Sequence, residues 1–176
     1  MLDGQRRMME TAVIMAKPDR AIIGNCGEYY VAAYLSGMGA KVVVERVNAP
    51  VKDLKVRFGG HSVNVQVKCG RAYNFVIKKK NPEKNYWVWQ AGKKCMNISD
   101  KDHWYAFVSI GAGERGPTWP ESECPPKVFF VPSKIVAKTL RNNDQKQTMW
   151  FWMDERVAAG YCGLTGFRKF KKAITG

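Results

Sequence analysis

Apolar and polar residues take turns along Asp53-Leu54-Lys55-Val56-Arg57-Phe58, and after Gly59-Gly60 they do so again along Val63-Asn64-Val65-Gln66-Val67-Lys68. A period of two marks a strand buried on one face. The segment therefore predicts a β-hairpin with Leu54, Val56, Phe58, Val63, Val65 and Val67 on one side and Asp53, Gln66 and Lys68 on the other. A two-residue loop at Gly59-Gly60 sets Asp53 opposite Gln66, and a four-residue loop through Ser62 sets it opposite Lys68. A three-residue loop would turn the two apolar rows to opposite faces, which burial forbids. Either permitted register brings Asp53 within roughly 5 to 8 Å of both Gln66 and Lys68.

The remaining pattern is mixed. Thr11 to Met38 reads as helical, interrupted near Pro18 and at Gly24 and Gly27, and ending at Gly37 or Gly39. Lys41 to Val47 is a β-branched strand. Tyr73, Phe75 and Ile77 alternate along one strand and Trp87 and Trp89 along another, with the turn-forming Asn81-Pro82-Glu83-Lys84-Asn85 between them. Trp104 to Ile110 is an apolar run of buried-strand type, followed by a Gly- and Pro-rich loop from Gly111 to Pro126 and a strand from Val128 to Val131. Ser133 can cap a helix over Lys134 to Arg141, Trp150 to Met153 suits one more short strand, and the tail closes with Arg168, Lys169, Lys171 and Lys172. The predicted class is α/β, one mixed sheet flanked by helices, with the second hairpin as an insertion. With 176 residues and no repeat or linker, a single domain over 1–176 is expected, burying on the order of 70% of its extended surface.

Helical phase singles out one more residue. At 100° per residue Glu28 points the same way as Val31, Ala32 and Leu35, the apolar stripe of its helix. A carboxylate there is either a helix-start residue favoured by the macrodipole, with the start near Gly24 to Gly27, or a functional group.

Charge then narrows the partner. Twenty-nine Lys and Arg against fifteen Asp and Glu give +14, which calls for an anionic partner, nucleic acid first. A membrane surface is second, but there is no apolar stretch near 18 residues and no basic-then-apolar leader. The expectation is a soluble, cytoplasmic protein. Five widely spaced cysteines without a CxxC pair, and only two histidines, argue against structural zinc and for reduced thiols. His61 reads as a turn residue and His103 as a residue beside a strand start.

Hydrolysis of a phosphodiester needs a hard cation, oxygen ligands to hold it and a group to orient the attacking water. Asp53 offers an anionic oxygen, Gln66 an amide oxygen, the Val67 carbonyl another, and Lys68 a cation beside water or phosphate. Glu28 would hold a second metal or its water. Mg²⁺, or Mn²⁺, suits such a site, because Mg²⁺ takes few protein ligands.

In these residues the sequence resembles the PD-(D/E)XK nuclease superfamily, and especially its small members with a Gln-x-Lys variant. The likeness rests on Gly27-Glu28 with Val31, Ala32 and Leu35, on Asp53-Leu54 opening a strand, and on Gln66-Val67-Lys68 ending the next. It covers roughly residues 20 to 140, and the aromatic hairpin and residues 141–176 are additions to that core. The resemblance implies a restriction endonuclease-like fold and metal-dependent cleavage of DNA leaving a 5′-phosphate. It implies Asp53 as the central metal ligand, Lys68 as the catalytic lysine and Glu28 as the helix-borne carboxylate. Gln66 departs from the commoner acidic residue, so the site loses one negative charge. The alternative is a weak or inactive nuclease fold that binds nucleic acid.

Lys78, Lys79, Lys80, Lys84, Lys93 and Lys94 bracket Tyr73, Phe75, Tyr86, Trp87 and Trp89. The lysines suit phosphate contacts, and the aromatics read first as core residues of the insertion. Arg71 and the basic tail are further phosphate candidates. Two cuts across a duplex commonly need two sites, so a homodimer is compatible with the reading.

Overall fold

A computed structural model describes residues 20–45, 52–70, 73–76, 85–110, 125–142 and 150–176, with backbone alone for Tyr73–Val76, Asn85 and Trp150. Helix α1 (Arg20–Gly37) leads through a turn at Gly39, whose φ of 88° suits glycine, into β1 (Lys41–Val44). The hairpin of β2 (Leu54–Phe58) and β3 (His61–Gly70) follows. Leu54 faces Val65 and Phe58 faces His61, which is the two-residue register, and Gly59 at φ 57° supplies the positive φ that such a turn needs at its first central position.

Strands β4 (Tyr73–Val76) and β5 (Asn85–Gln90) pair antiparallel, as the alternation predicts. A 3₁₀ turn (Lys93–Asn97), β6 (His103–Ser109), β7 (Lys127–Pro132), α2 (Ser133–Asn142), β8 (Trp150–Asp154), α3 (Glu155–Ala159) and α4 (Gly163–Thr175) complete the chain. The central sheet runs β1-β2-β3-β6-β7, with β3 and β6 parallel and the other pairs antiparallel. Strand β6 is buried along its whole length, as its unbroken apolar run requires.

Two hydrophobic clusters lie against this sheet. On one face α1 contributes Val31 and Leu35 and α4 contributes Phe167, Phe170 and Ile174, over Leu54, Val56, Val65, Ala106 and Phe130. On the other, Tyr105, Phe107, Phe129 and Val131 are covered by Trp89, Cys95, Leu140, Phe151 and Met153. Each large apolar side chain so buried contributes about 1.5 to 3 kcal/mol relative to exposure.

Three expectations change. Helix α1 passes unbroken through Gly24 and Gly27. The inserted hairpin does not extend one sheet: β4-β5-β8 form a separate three-stranded sheet, with β8 added across Trp87↔Met153 and Trp89↔Phe151. The basic tail is helical, and its Phe167, Phe170 and Ile174 sit at helical spacing in the first cluster. The expected strand residues Arg46 and Val47, and Gly111 to Cys124 of the expected loop, lie outside the described residues. Ser133 uses its hydroxyl to accept from the Asp100 N–H at 3.0 Å and donate to the Asp100 carbonyl at 2.7 Å, pinning the approach to β6.

Candidate active site

Strand β3 runs on past the point where β2 begins, so beyond Val65 its β2-side edge has no ladder partner among the described residues. Asp53 fills that notch. Its carbonyl accepts from the Glu45 N–H at 2.8 Å and its own N–H donates to the Val65 carbonyl at 3.2 Å. Its Oδ2 accepts from the Val67 N–H at 2.6 Å. One residue thus ties β1, β2 and β3 together and turns its carboxylate along the edge of β3.

Gln66 and Lys68 stand on the polar face of β3, both half-buried, beside Tyr105 and Phe107 of β6 in register. Among the described residues the Gln66 Oε1 has only a long 4.0 Å contact from the Cys95 thiol, which bonds chiefly to the Ala91 carbonyl at 2.9 Å. Val67 commits its N–H to Asp53 and buries its side chain in the first cluster.

Glu28 comes from the layer on the other side of the sheet. Helix α1 begins at Arg20 and carries no acidic residue in its first turn, so the macrodipole account of Glu28 fails. What brings it in is Gly27, which packs on the end of β3: a Cβ at 27 would collide with the Cys69 Cβ and lie 2.8 Å from its Sγ. Burial raises the Glu28 carboxyl above its ordinary range, the Asp53 charge raises it further, and Lys68 opposes both. Asp53 is also raised by burial, against the pull of the Val67 N–H and of Lys68. Two carboxylates and one ammonium therefore share a field at this notch.

Tyr105 forms the floor beside Gln66. It is fully buried, and its hydroxyl has no hydrogen-bond partner among the described residues. Burial raises its phenol first, then the Cys95 thiol and the Asp53 charge. His103 stacks edge-on against it with ring centroids 5.2 Å apart, and the His103 Nε2 is likewise buried without a partner. Burial lowers the His103 pKa, against the pull of Asp100. Tyr105 was invisible in a continuous apolar run; the only signal was a hydroxyl on a strand with no wet face.

Among the described residues no three His, Cys, Asp or Glu side chains cluster; the oxygen donors at this part of the sheet are the Glu28 and Asp53 carboxylates, which feel each other's charge, and the Gln66 amide on the adjoining strand. That donor set fits Mg²⁺, and a cation would relieve the repulsion between Glu28 and Asp53. The described cysteines are free thiols, and burial pushes the Cys69 thiol up to about 12, which leaves it unreactive.

Of the expected phosphate contacts, Lys93 and Lys94 are exposed on the 3₁₀ turn whose Cys95 reaches Gln66, at the rim of the notch. Arg71, Lys78, Lys79, Lys80 and Lys84 lie outside the described residues. Trp89 is core, buried against Phe107, Phe129 and Phe151, with its indole N–H donating to the Val108 carbonyl at 3.3 Å. No described helix is long and apolar enough to cross a membrane.

No protein-family model matches the chain, and no curated protein matches it in sequence. A solved structure does match in fold: that of a bacterial homing endonuclease, I-Ssp6803I, with a TM-score of 0.54 at 13% identity, covering 89% of this chain and 94% of that one. The chain is thus a mixed α/β protein whose five-stranded sheet and flanking helices form a nuclease-like fold.

Proposed function

We propose that this protein is a Mg²⁺-dependent (or Mn²⁺-dependent) DNA endonuclease whose site is Glu28, Asp53, Gln66 and Lys68, a PD-(D/E)XK-type arrangement with glutamine in the acidic position. The observation that carries the reading is the shared field of Glu28, Asp53 and Lys68, brought from two layers of the fold to one notch at the edge of β3. The fold likeness to a homing endonuclease and the charge of +14 support it.

A divalent cation, when bound, supplies Lewis acidity towards the scissile phosphate. Asp53 is the residue to hold it, since its carboxylate is fixed by the Val67 N–H and cannot swing away. Gln66 adds a neutral oxygen, and the Val67 carbonyl is a further donor. Glu28 accepts a hydrogen bond from the attacking water and orients it. Lys68 holds positive charge where negative charge grows on the phosphate; as the water oxygen bonds to phosphorus its proton passes to Glu28, the P–O3′ bond breaks, and the 3′-oxygen leaves and takes a proton from solvent, which gives a 5′-phosphate and a 3′-hydroxyl. Lys93 and Lys94 would face the flanking backbone, and a cytoplasmic setting and a homodimer making paired cuts are compatible with the same reading.

Incubation of the protein with plasmid, branched, single-stranded and RNA substrates in Mg²⁺ or Mn²⁺ tests this. Cleavage of DNA, lost in Lys68→Ala and Asp53→Asn, is the expected result. Cleavage equal to that of the Lys68→Ala control overturns it. The neutral Gln66 favours one other reading, a nuclease fold that binds nucleic acid without cutting; it predicts salt-sensitive binding indifferent to metal and to Asp53→Asn.

A further inference from the structure

Among the described residues, the polar face of the central sheet is covered over only half its width. Over β6 and β7 lies the second cluster, with Trp89, Cys95, Leu140 and Phe151. Over β1 and β2, Lys41, Val43, Lys55, Arg57 and Ser62 are exposed and line an open cleft of about 300 Å³. Lys41 pairs with Arg57 and Val43 with Lys55 across β1–β2, and Ser62 pairs with Arg57 across β2–β3. All five therefore belong to one face, the face of Asn64, Gln66 and Lys68. Among the described residues no acidic side chain lines the cleft. The ion pair formed by Lys52 with Glu45 at 3.3 Å uses neither Lys41, Lys55 nor Arg57.

We infer that this basic sheet face, Lys41, Lys55 and Arg57 with Ser62, is a docking track for the phosphate backbone of duplex DNA, leading into the Asp53 notch. The inference rests on the nuclease reading and adds to it the surface that sets the register of the duplex. Geometry supports the occupant. Asp53, Lys55 and Arg57 alternate along one strand, so they mark out about 7 Å per step. The span from the notch to Arg57 is about 14 Å, the axial rise of about four phosphates on one strand of a duplex. Lys41 lies across from Arg57 at the spacing of neighbouring strands, about 5 Å, which places two cations at the far end of the track. Ser62 offers a hydroxyl to a phosphate oxygen, and Val43, 51% exposed, offers an apolar floor to the sugar edges.

The test is the affinity of the full chain for a short labelled duplex, read by fluorescence anisotropy across a salt series with divalent cations chelated. Lys41→Gln/Lys55→Gln/Arg57→Gln is compared with Lys134→Gln/Lys138→Gln/Arg156→Gln, which removes the same charge from exposed positions elsewhere. The cleft variant is expected to lose on the order of 100-fold in affinity at about 0.15 M salt, with its slope of log affinity against log salt shallower by about 2.7. The control keeps the wild-type slope. Equal unfolding midpoints for the three proteins establish that folding is not the cause, and the single Lys55→Gln variant, with a slope change of about 0.9, carries the test if the triple variant unfolds early. Wild-type affinity and slope in the cleft variant, or equal losses in the control, overturn the track while leaving the nuclease reading intact. Failure of the wild-type chain to bind or cut DNA overturns both.

Discussion

Replacing Gly27 with alanine should unlock α1 from β3, and the cost can be worked from the contact itself. In an exposed helix interior the change would gain about 1 kcal/mol, since alanine is the better helix former. At position 27 the new methyl would meet the Cβ of Cys69, not the far end of a flexible chain, with the Sγ at 2.8 Å and Val67 Cγ1 at 3.5 Å. Cys69 cannot retreat easily, because it pairs with Val108 of the fully buried β6. Overpacking of this kind costs typically 1 to 3 kcal/mol, and a collision with a Cβ belongs at the upper end. The net expectation is a loss of about 2 kcal/mol, or roughly 4 to 8 °C in unfolding midpoint for a chain of this size. The same helix supplies the control. A Cβ at Gly24 meets nothing within 4 Å, so Gly24→Ala should gain up to about 1 kcal/mol. Thermal and urea unfolding of the two variants, with Cys69→Gly added to each, complete the comparison. Cys69→Gly should cost less in Gly27→Ala than in Gly24→Ala, because only in the first does it relieve a collision. Gly27→Ala as stable as Gly24→Ala would refute the close approach, and with it the account of how Glu28 reaches Asp53.

The raised carboxyls set a pH dependence. Glu28 and Asp53 hold protons in the folded chain that the unfolded chain has released, so their contribution is complete below the ordinary carboxylate range near about pH 4 and is lost as pH rises through their raised folded values. Differential scanning in buffers from acid to neutral should therefore show Mg²⁺ or Mn²⁺ stabilising the chain more at neutral pH, with Gln66→Glu steepening the effect; a cation effect independent of pH would count against a metal at these carboxylates. Tyr105→Phe should raise stability by up to about 1 kcal/mol, because it removes a buried hydroxyl that has no geometrically sound hydrogen bond among the described residues, only the neighbouring Cys95 thiol. A lower unfolding midpoint in that variant would show that the hydroxyl is satisfied after all.

The hairpin of β2 and β3 was legible because its period of two is written in adjacent residues, and the loop-length arithmetic left two registers, of which the two-residue form is the one adopted. The extra sheet was not legible, since β8 joins β5 through pairs such as Trp87 and Met153, far apart in the chain and silent in any local window. Helix α4 was hidden by its own cations: Phe167, Phe170 and Ile174 keep helical spacing, but Arg168, Lys169, Lys171 and Lys172 between them read as a charged tail. Gly27 was read as an interruption because a glycine in a helix looks the same on paper whether it breaks the helix or admits a neighbour. For the site, alternation placed Gln66 and Lys68 on one strand face, and helical phase picked out Glu28. Neither could reveal Tyr105, nor that Lys41, Lys55 and Arg57 stay uncovered, because both depend on which half of the sheet the second cluster occupies.

The bond from the Val67 N–H to Asp53 has a consequence for how such a chain would decay under mutation. Asp53 serves the fold whether or not it serves a reaction, since its carboxylate closes an edge that would otherwise expose an unpaired donor. Asparagine keeps an acceptor there, whereas alanine would leave the donor open. If the proposed cleavage were lost, position 53 would therefore still be limited to aspartate or asparagine, whereas Glu28 and Lys68, which have no such bond to the backbone among the described residues, would drift first. On the proposed reading, retention of Glu28 and Lys68 beside Asp53 would point to cleavage, whereas Asp53 by itself would point only to the fold.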